Sequence, residues 1–365
     1  MSYLGRVEEE LARIADRGRY RSIDADEPRV FADFSTNDYL GLATDSRMIE
    51  AMRTVKRVGA GGARLLGGRH REHALLETDI ARWTGRERAL LFSSGYLAAA
   101  GAVSVLAGFA GIAYSDALNH ACLIDALRAS KLERVVYPHG KLPPKAHRRN
   151  GALVVTESIF GMDGDAIDLP AMLADLHTED ILLVDDAHAL GVAGDEGAGL
   201  ARALQDDRVV VMGTLGKAIG AAGGFVAGPA RLIELLVNSA RTFIFDTALP
   251  PPIAFAARVG VMLARTADDR RQRLHANVAR LRAGLRELRL PVIDDATPIV
   301  PIVLGDERRA LAVAKACLEA GVLAPAVRPP TVPAGTARLR ISLRADHTGE
   351  QIARLVEVLA CNVTS

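Results

Sequence analysis

Lysine is scarce in this chain. Of 45 basic residues among 365, only Lys56, Lys131, Lys141, Lys145, Lys217 and Lys315 are lysines, which leaves 39 arginines. A lysine set among apolar residues and glycines therefore needs a chemical reason. A dominant charge is also lacking. The 45 basic residues meet 44 acidic ones, for a net charge of +1. That excludes a general nucleic-acid binder, which carries a strong basic excess. Cysteine is sparse too. Cys122, Cys317 and Cys361 are widely spaced and odd in number, so they form neither a metal-binding pair nor a disulfide framework, and a reducing compartment is expected. Long apolar runs are missing. The Ala/Gly-rich stretch over residues 97–113 comes nearest, and it is too short and too weakly apolar to span a bilayer. The first twenty residues hold Glu8, Glu9, Glu10 and Asp16, where an export leader has a basic start and an apolar centre. Leu4, Val7, Leu11 and Ile14 instead predict an ordinary amphipathic helix. A cytoplasmic protein with no membrane and no nucleic-acid partner is expected.

What is present is a large apolar fraction, 49 %, enough for a sizeable core. The length suggests about two domains. Short β-rich runs alternate with helical patterns through the middle of the chain. Candidate strands cover residues 89–93, 111–115, 134–137, 153–157, 181–185, 209–213 and 224–227. Several are continuous apolar runs, the pattern of strands buried on both faces. The alternation predicts an α/β domain with a mostly parallel, seven-stranded sheet flanked by helices, and ligands at the carboxyl ends of its strands. At Pro250-Pro-Pro252 the pattern breaks. An arginine-rich helical segment over 253–288 follows, reading as a solvated face, then strands near 299–304 and 338–343. The expected division is an N-terminal arm (1–40), a large α/β domain (41–250) and a smaller α+β domain (251–365), with the arm packed on the last.

Three features fall just past strand ends. Thr214-Leu-Gly-Lys217-Ala-Ile-Gly220 carries a lysine among small and apolar residues. Desolvation favours the neutral amine, which can form a Schiff base or take a proton. Alone, Lys217 reads equally as a surface lysine in a glycine-rich loop. Val184-Asp185-Asp186-Ala187-His188 puts a carboxylate at the end of a buried strand, which is costly unless paired. A protonated cofactor nitrogen would suit it, as would a cap for the next turn; no further ligands are spaced for a metal. Ser93-Ser94-Gly95-Tyr96 opens an Ala-rich helix, where backbone N–H groups can hold phosphate or Ser94 can act as a plain cap. Together they offer a lysine for an aldehyde, a carboxylate for a pyridinium and a helix end for a phosphate. That set describes pyridoxal 5′-phosphate.

The chain resembles the α-oxoamine synthase family of fold-type I pyridoxal-phosphate enzymes over nearly its whole length. The likeness rests on Ser35-Thr-Asn37-Asp-Tyr-Leu-Gly41, Gly59-Ala-Gly-Gly-Ala-Arg64, Asp116-Ala-Leu-Asn-His120-Ala, Met162-Asp-Gly-Asp165 and Gly213-Thr-Leu-Gly-Lys217. Arg328-Pro-Pro-Thr331-Val-Pro points within the family to the branch that joins L-alanine to a pimeloyl thioester, carried on CoA or a carrier protein, in biotin synthesis. A member using glycine or another acyl thioester is the alternative; a non-catalytic assembly partner is a more distant one.

The resemblance implies a homodimer and a set of roles. Lys217 is the Schiff-base lysine, Asp185 the partner of the pyridine nitrogen, His188 the neighbour of the phenolic oxygen, and His120 the residue over the ring and a donor to the acyl carbonyl. Gly95, Tyr96, Thr214 and Thr247 hold phosphate. Asn37 and Arg340 hold the amino-acid carboxylate, and Thr331 contacts substrate. Three positions depart from the family pattern. Gly161 stands where serine is frequent, Ala99 where asparagine is, and Asp246 where serine or threonine is. An ionised Asp246 would repel a phosphate, so it is expected to point away or be neutralised.

Overall fold

A computed structural model describes residues 1–21, 30–293, 295 and 297–363. The chain divides into two compact units. One comprises Asn37–Gly161 and Asp165–Leu274; the other comprises Met1–Thr36, Met162–Gly164 and His275–Ser365.

The larger unit is built on a seven-stranded sheet. In chain order its strands are β1 (Arg88–Phe92), β2 (Ile112–Asp116), β3 (Arg134–Tyr137), β4 (Ala152–Glu157), β5 (Ile181–Asp185), β6 (Val209–Thr214) and β7 (Gly224–Gly228). Their spatial order is β1-β7-β6-β5-β4-β2-β3. Only β7 is antiparallel to its neighbours. The other six therefore end along one edge, as the mostly parallel reading requires.

Every residue of β2, β4 and β7 is buried, which is why these runs lack polar alternation. One sheet face packs Leu90, Phe92, Leu153, Val155, Leu183 and Met212 against helices Gly95–Leu106, Ala121–Ser130 and Ala230–Ser239. The other packs Tyr114, Val154, Leu182, Val184 and Val211 against Leu169–Asp175 and the turn at Leu200–Ala203.

The division between the units falls at Leu274, not at residue 250. Pro251–Arg265 is a helix that packs on Ser46–Thr54 and Arg71–Thr84, within the larger unit. Its first two residues are prolines, tolerated there because the first helical N–H groups need no intrahelical acceptor. Gly260 makes the close packing feasible: a Cβ there would stand 2.5 Å from the Ile219 carbonyl oxygen.

The arginine-rich segment is two helices, Pro251–Arg265 and Asp268–Glu287, rather than one. Its arginines are not simply a solvated face. Arg271 is buried and donates to the Ala264 carbonyl at 2.5 Å, capping the end of the first helix. Arg270 donates to the carbonyl of Leu40 at 2.8 Å and to Asp45 at 2.8 Å.

The smaller unit carries β8 (Ile299–Gly305), β9 (Ala326–Val327) and β10 (Ala337–Ser342) as an antiparallel sheet with β10 central. Helices Glu307–Glu319 and Gly349–Val363 pack with each other, and Ala32–Asp33 pairs in parallel with Val322–Leu323. Tyr3–Asp16 forms the expected N-terminal helix. No helix among the described residues is long and apolar enough to cross a membrane.

Candidate active site

The carboxyl ends of β2, β4, β5 and β6 and the segment after β1 surround one cavity of about 160 Å³. Gly95, Tyr96, His120, Asp185, Thr214 and Lys217 line it, six of the residues expected from the sequence. Cys122 and Glu157 line it too, and the sequence reading had not singled them out.

Lys217 follows β6 in a tight turn. The Thr214 hydroxyl donates to the Gly223 carbonyl at 3.0 Å and accepts from the Gly216 N–H at 3.2 Å. Gly220 closes the turn at φ +69°, and a Cβ there would lie 2.4 Å from the Ala43 nitrogen. Both the left-handed backbone and the close approach demand glycine.

At the start of helix Gly95–Leu106, the Ser94 hydroxyl accepts from the Leu97 N–H at 3.2 Å. The N–H groups of Gly95 and Tyr96 precede it and have no acceptor among the described residues. They are the ordinary orphan donors of a helix start, and they form the positive end of the helix dipole. Gly224 on β7 lets the chain pass here: a Cβ would stand 2.5 Å from the Gly95 nitrogen.

The two aspartates ending β5 have separate tasks. Asp185 lines the cavity, and its carboxylate accepts from the Ala187 N–H at 3.0 Å. Asp186 is fully buried, accepting from the Ser158 hydroxyl at 2.5 Å and from the N–H of Leu200 and Ala201 at 3.2 Å each. Burial pushes the Asp186 carboxyl up to about 6. Asp186 thus anchors the 199–201 turn while Asp185 faces the cavity.

Glu157 ends β4 beside Asp185 and accepts from the His120 backbone N–H at 2.6 Å. Burial, then the Asp185 charge, pushes its carboxyl up to about 8. Glu157, like Asp185, is a carboxylate ending a buried strand, and that is the sequence signal that marks it. Desolvation by the cavity walls lowers the His120 imidazole, with Asp185 opposing and Lys217 adding to the shift.

The remaining expected residues stand elsewhere. His188 is buried outside the cavity lining, its Nδ1 2.7 Å from the Tyr39 hydroxyl, which lies 3.1 Å from Asn37 Oδ1. The Gly161 departure has a spatial counterpart: a Cβ at 161 would stand 2.5 Å from His188 Nε2. The imidazole thus occupies the space a side chain there would need. Thr247 is exposed and bridges to Ala63, away from the cavity lining. Asp246 next to it accepts from the Ser93 hydroxyl. Ala99 is buried in the core under the sheet. In the smaller unit, Arg340 is buried on β10 and donates to the Ser342 hydroxyl at 2.7 Å, while Thr331 is exposed in the turn after Pro330. No group of three or more possible metal ligands occurs among the described residues.

The sequence matches the class I and II aminotransferase family over residues 30–359. It belongs to that family. Proteins named 8-amino-7-oxononanoate synthase are 42 % identical in Hahella chejuensis (98 % of this chain, 96 % of that one) and 46 % identical in Anaeromyxobacter dehalogenans (96 % and 94 %). Among solved structures, Sphingomonas wittichii serine palmitoyltransferase superposes with a TM-score of 0.88 at 29 % identity, covering 100 % of this chain and 99 % of that one. An 8-amino-7-oxononanoate synthase from Francisella tularensis superposes at 0.79 with 27 % identity, covering 91 % and 97 %. The family, the fold and the resemblance to α-oxoamine synthases agree.

Proposed function

We propose that this protein is a pyridoxal-phosphate-dependent acyltransferase that joins L-alanine to a pimeloyl thioester. The products are 8-amino-7-oxononanoate, CO₂ and the free thiol, as in biotin synthesis. One observation carries the reading. A lysine, a strand-end carboxylate and two helix-start N–H groups without acceptors share a single cavity.

That donor set fits pyridoxal phosphate. The N–H groups of Gly95 and Tyr96 suit a dianionic phosphate, with Thr214 beside them. Asp185 suits a protonated ring nitrogen, and Lys217 an aldehyde. When bound, the cofactor supplies an electron sink for the charge left on the amino-acid α-carbon.

The residues do the rest. Lys217 Nζ takes the α-proton and returns one after CO₂ has left. Asp185 keeps a positive charge in place near its carboxylate, in a setting where strand burial makes the pairing strong. His120 donates to the acyl carbonyl oxygen as the thiolate leaves. Asn37 and Arg340 take the amino-acid carboxylate by charge-assisted hydrogen bonds, and Thr331 contacts substrate. His188 serves the phenolic oxygen and Thr247 the phosphate of a second protomer. These last assignments rest on the resemblance, as does the homodimer.

Release of CoA separates the readings. L-Alanine with pimeloyl-CoA is expected to give much faster turnover than glycine with succinyl-CoA or L-serine with palmitoyl-CoA. Preference for either other pair would move the chain to another α-oxoamine synthase activity, and turnover with none would leave an assembly partner.

A further inference from the structure

His120 is held at both ends of its residue. Its backbone N–H donates to Glu157 at 2.6 Å. Its ring caps helix Ala121–Ser130, with Nδ1 accepting from the Cys122 N–H at 3.2 Å. The Cys122 thiol stands on the same nitrogen, with Sγ 3.0 Å from Nδ1.

These contacts decide where the imidazole keeps its hydrogen. The Cys122 amide is a donor and nothing else. A hydrogen on Nδ1 would point at the amide hydrogen. Nδ1 therefore carries the lone pair, and the single hydrogen of the neutral ring is on Nε2. The thiol points the same way. Cys122 is buried between His120, Asp185 and Glu157, and burial with those two carboxylates pushes it far up, so it stays S–H and donates. Because Nδ1 accepts from the Cys122 N–H, the ring has no place for a second proton, and burial lowers its basicity in the same sense. With Nδ1 turned onto the helix, the opposite ring edge presents Nε2–H at the cavity that His120 lines.

We propose that Cys122 is a positioning residue that fixes His120 as the Nε2–H tautomer, so that His120 acts on the acyl thioester as a hydrogen-bond donor and not as a base. The inference rests on the proposed function for its consequence, but not for the tautomer itself. A base at Nε2 would need the lone pair there, which the Cys122 donors exclude. The thiol matters because it is itself buried and adds a second donor on Nδ1.

Nitrogen-15 NMR of histidine-labelled holoenzyme tests the tautomer, with the His120 signals assigned by their loss in His120→Gln. A protonated Nε2 and a bare Nδ1 are expected; the reverse pattern overturns the proposal. Kinetics test the thiol. Cys122→Ala is expected to slow the thioester-dependent step about ten-fold while α-proton exchange of alanine in D₂O stays within about two-fold, and Cys122→Ser, which keeps a donor, to stay within about two-fold for both. Equal effects on both steps in Cys122→Ala, or none, would remove the thiol from the account. Should Cys122→Ala fail to fold, the wild-type spectrum and Cys122→Ser still decide. A holoenzyme inert to every thioester would sink the proposed function, yet its labelled ring would still report the tautomer.

Discussion

Glu157 and Asp185 end adjacent parallel strands in register, and both carboxyl groups line the same cavity. Two acids so placed cannot both ionise cheaply. Burial, then the neighbouring Asp185, pushes the Glu157 carboxyl up to about 8, so Glu157 holds its proton at neutral pH.

That arrangement predicts a pH dependence. An acid whose pKa rises on folding binds more protons folded than unfolded. Its contribution is complete below its ordinary 4.5 and is lost as pH climbs through about 8. Urea denaturation of the cofactor-free protein should therefore show stability falling across that window. Glu157→Gln should flatten this part of the profile. An unchanged slope in the variant would place the titration on another group.

His139 behaves in the opposite sense of charge. Its Nδ1 lies 3.0 Å from Asp116 and its Nε2 2.6 Å from Asp165, and these two bonds push the imidazole up to about 10. Its stabilising contribution is present in full below its ordinary 6.5 and is lost as pH rises through about 10. His139→Gln is expected to cost about 1.5–3 kcal/mol at pH 6, the usual worth of hydrogen bonds to a charged group. The gap to wild type should narrow by pH 10, and chemical denaturation at both pH values checks it.

Gly161→Ala tests the space that His188 fills. The added Cβ would stand 2.5 Å from His188 Nε2 unless the ring moves. A cost of about 1–3 kcal/mol is expected from such overpacking. Moving the ring should also weaken its 2.7 Å contact with Tyr39. A melting curve, and the cofactor concentration needed for half-occupancy, measure the two effects. Identical values in variant and wild type would mean that the ring yields freely.

Much of this architecture was legible in the chain. Runs such as Leu153-Val-Val-Thr are apolar throughout because both sheet faces are covered, and they became β4 and its neighbours. The cavity lies where strand ends were expected because six strands share one direction. What stayed hidden depends on distant contacts. Helix Pro251–Arg265 joins the larger unit by packing on two helices more than 160 residues earlier in the chain, which no local pattern reports. The break near Thr266 is capped by Arg271, one arginine among many. Asp246 accepts from the Ser93 hydroxyl, a partner 153 residues away in the chain. No motif marks Cys122 beyond its place among three widely spaced cysteines; the fold puts its sulfur on His120 Nδ1.

The central claim places one lysine of six at the chemistry, since arginine cannot give up its proton to form the link. Borohydride reduction of the pyridoxal-phosphate-loaded protein, followed by peptide mapping, tests it most directly. The account predicts the reduced cofactor on Lys217 and nowhere else, with no adduct and no turnover in Lys217→Arg. An adduct on any other lysine, or turnover in that variant, would contradict it.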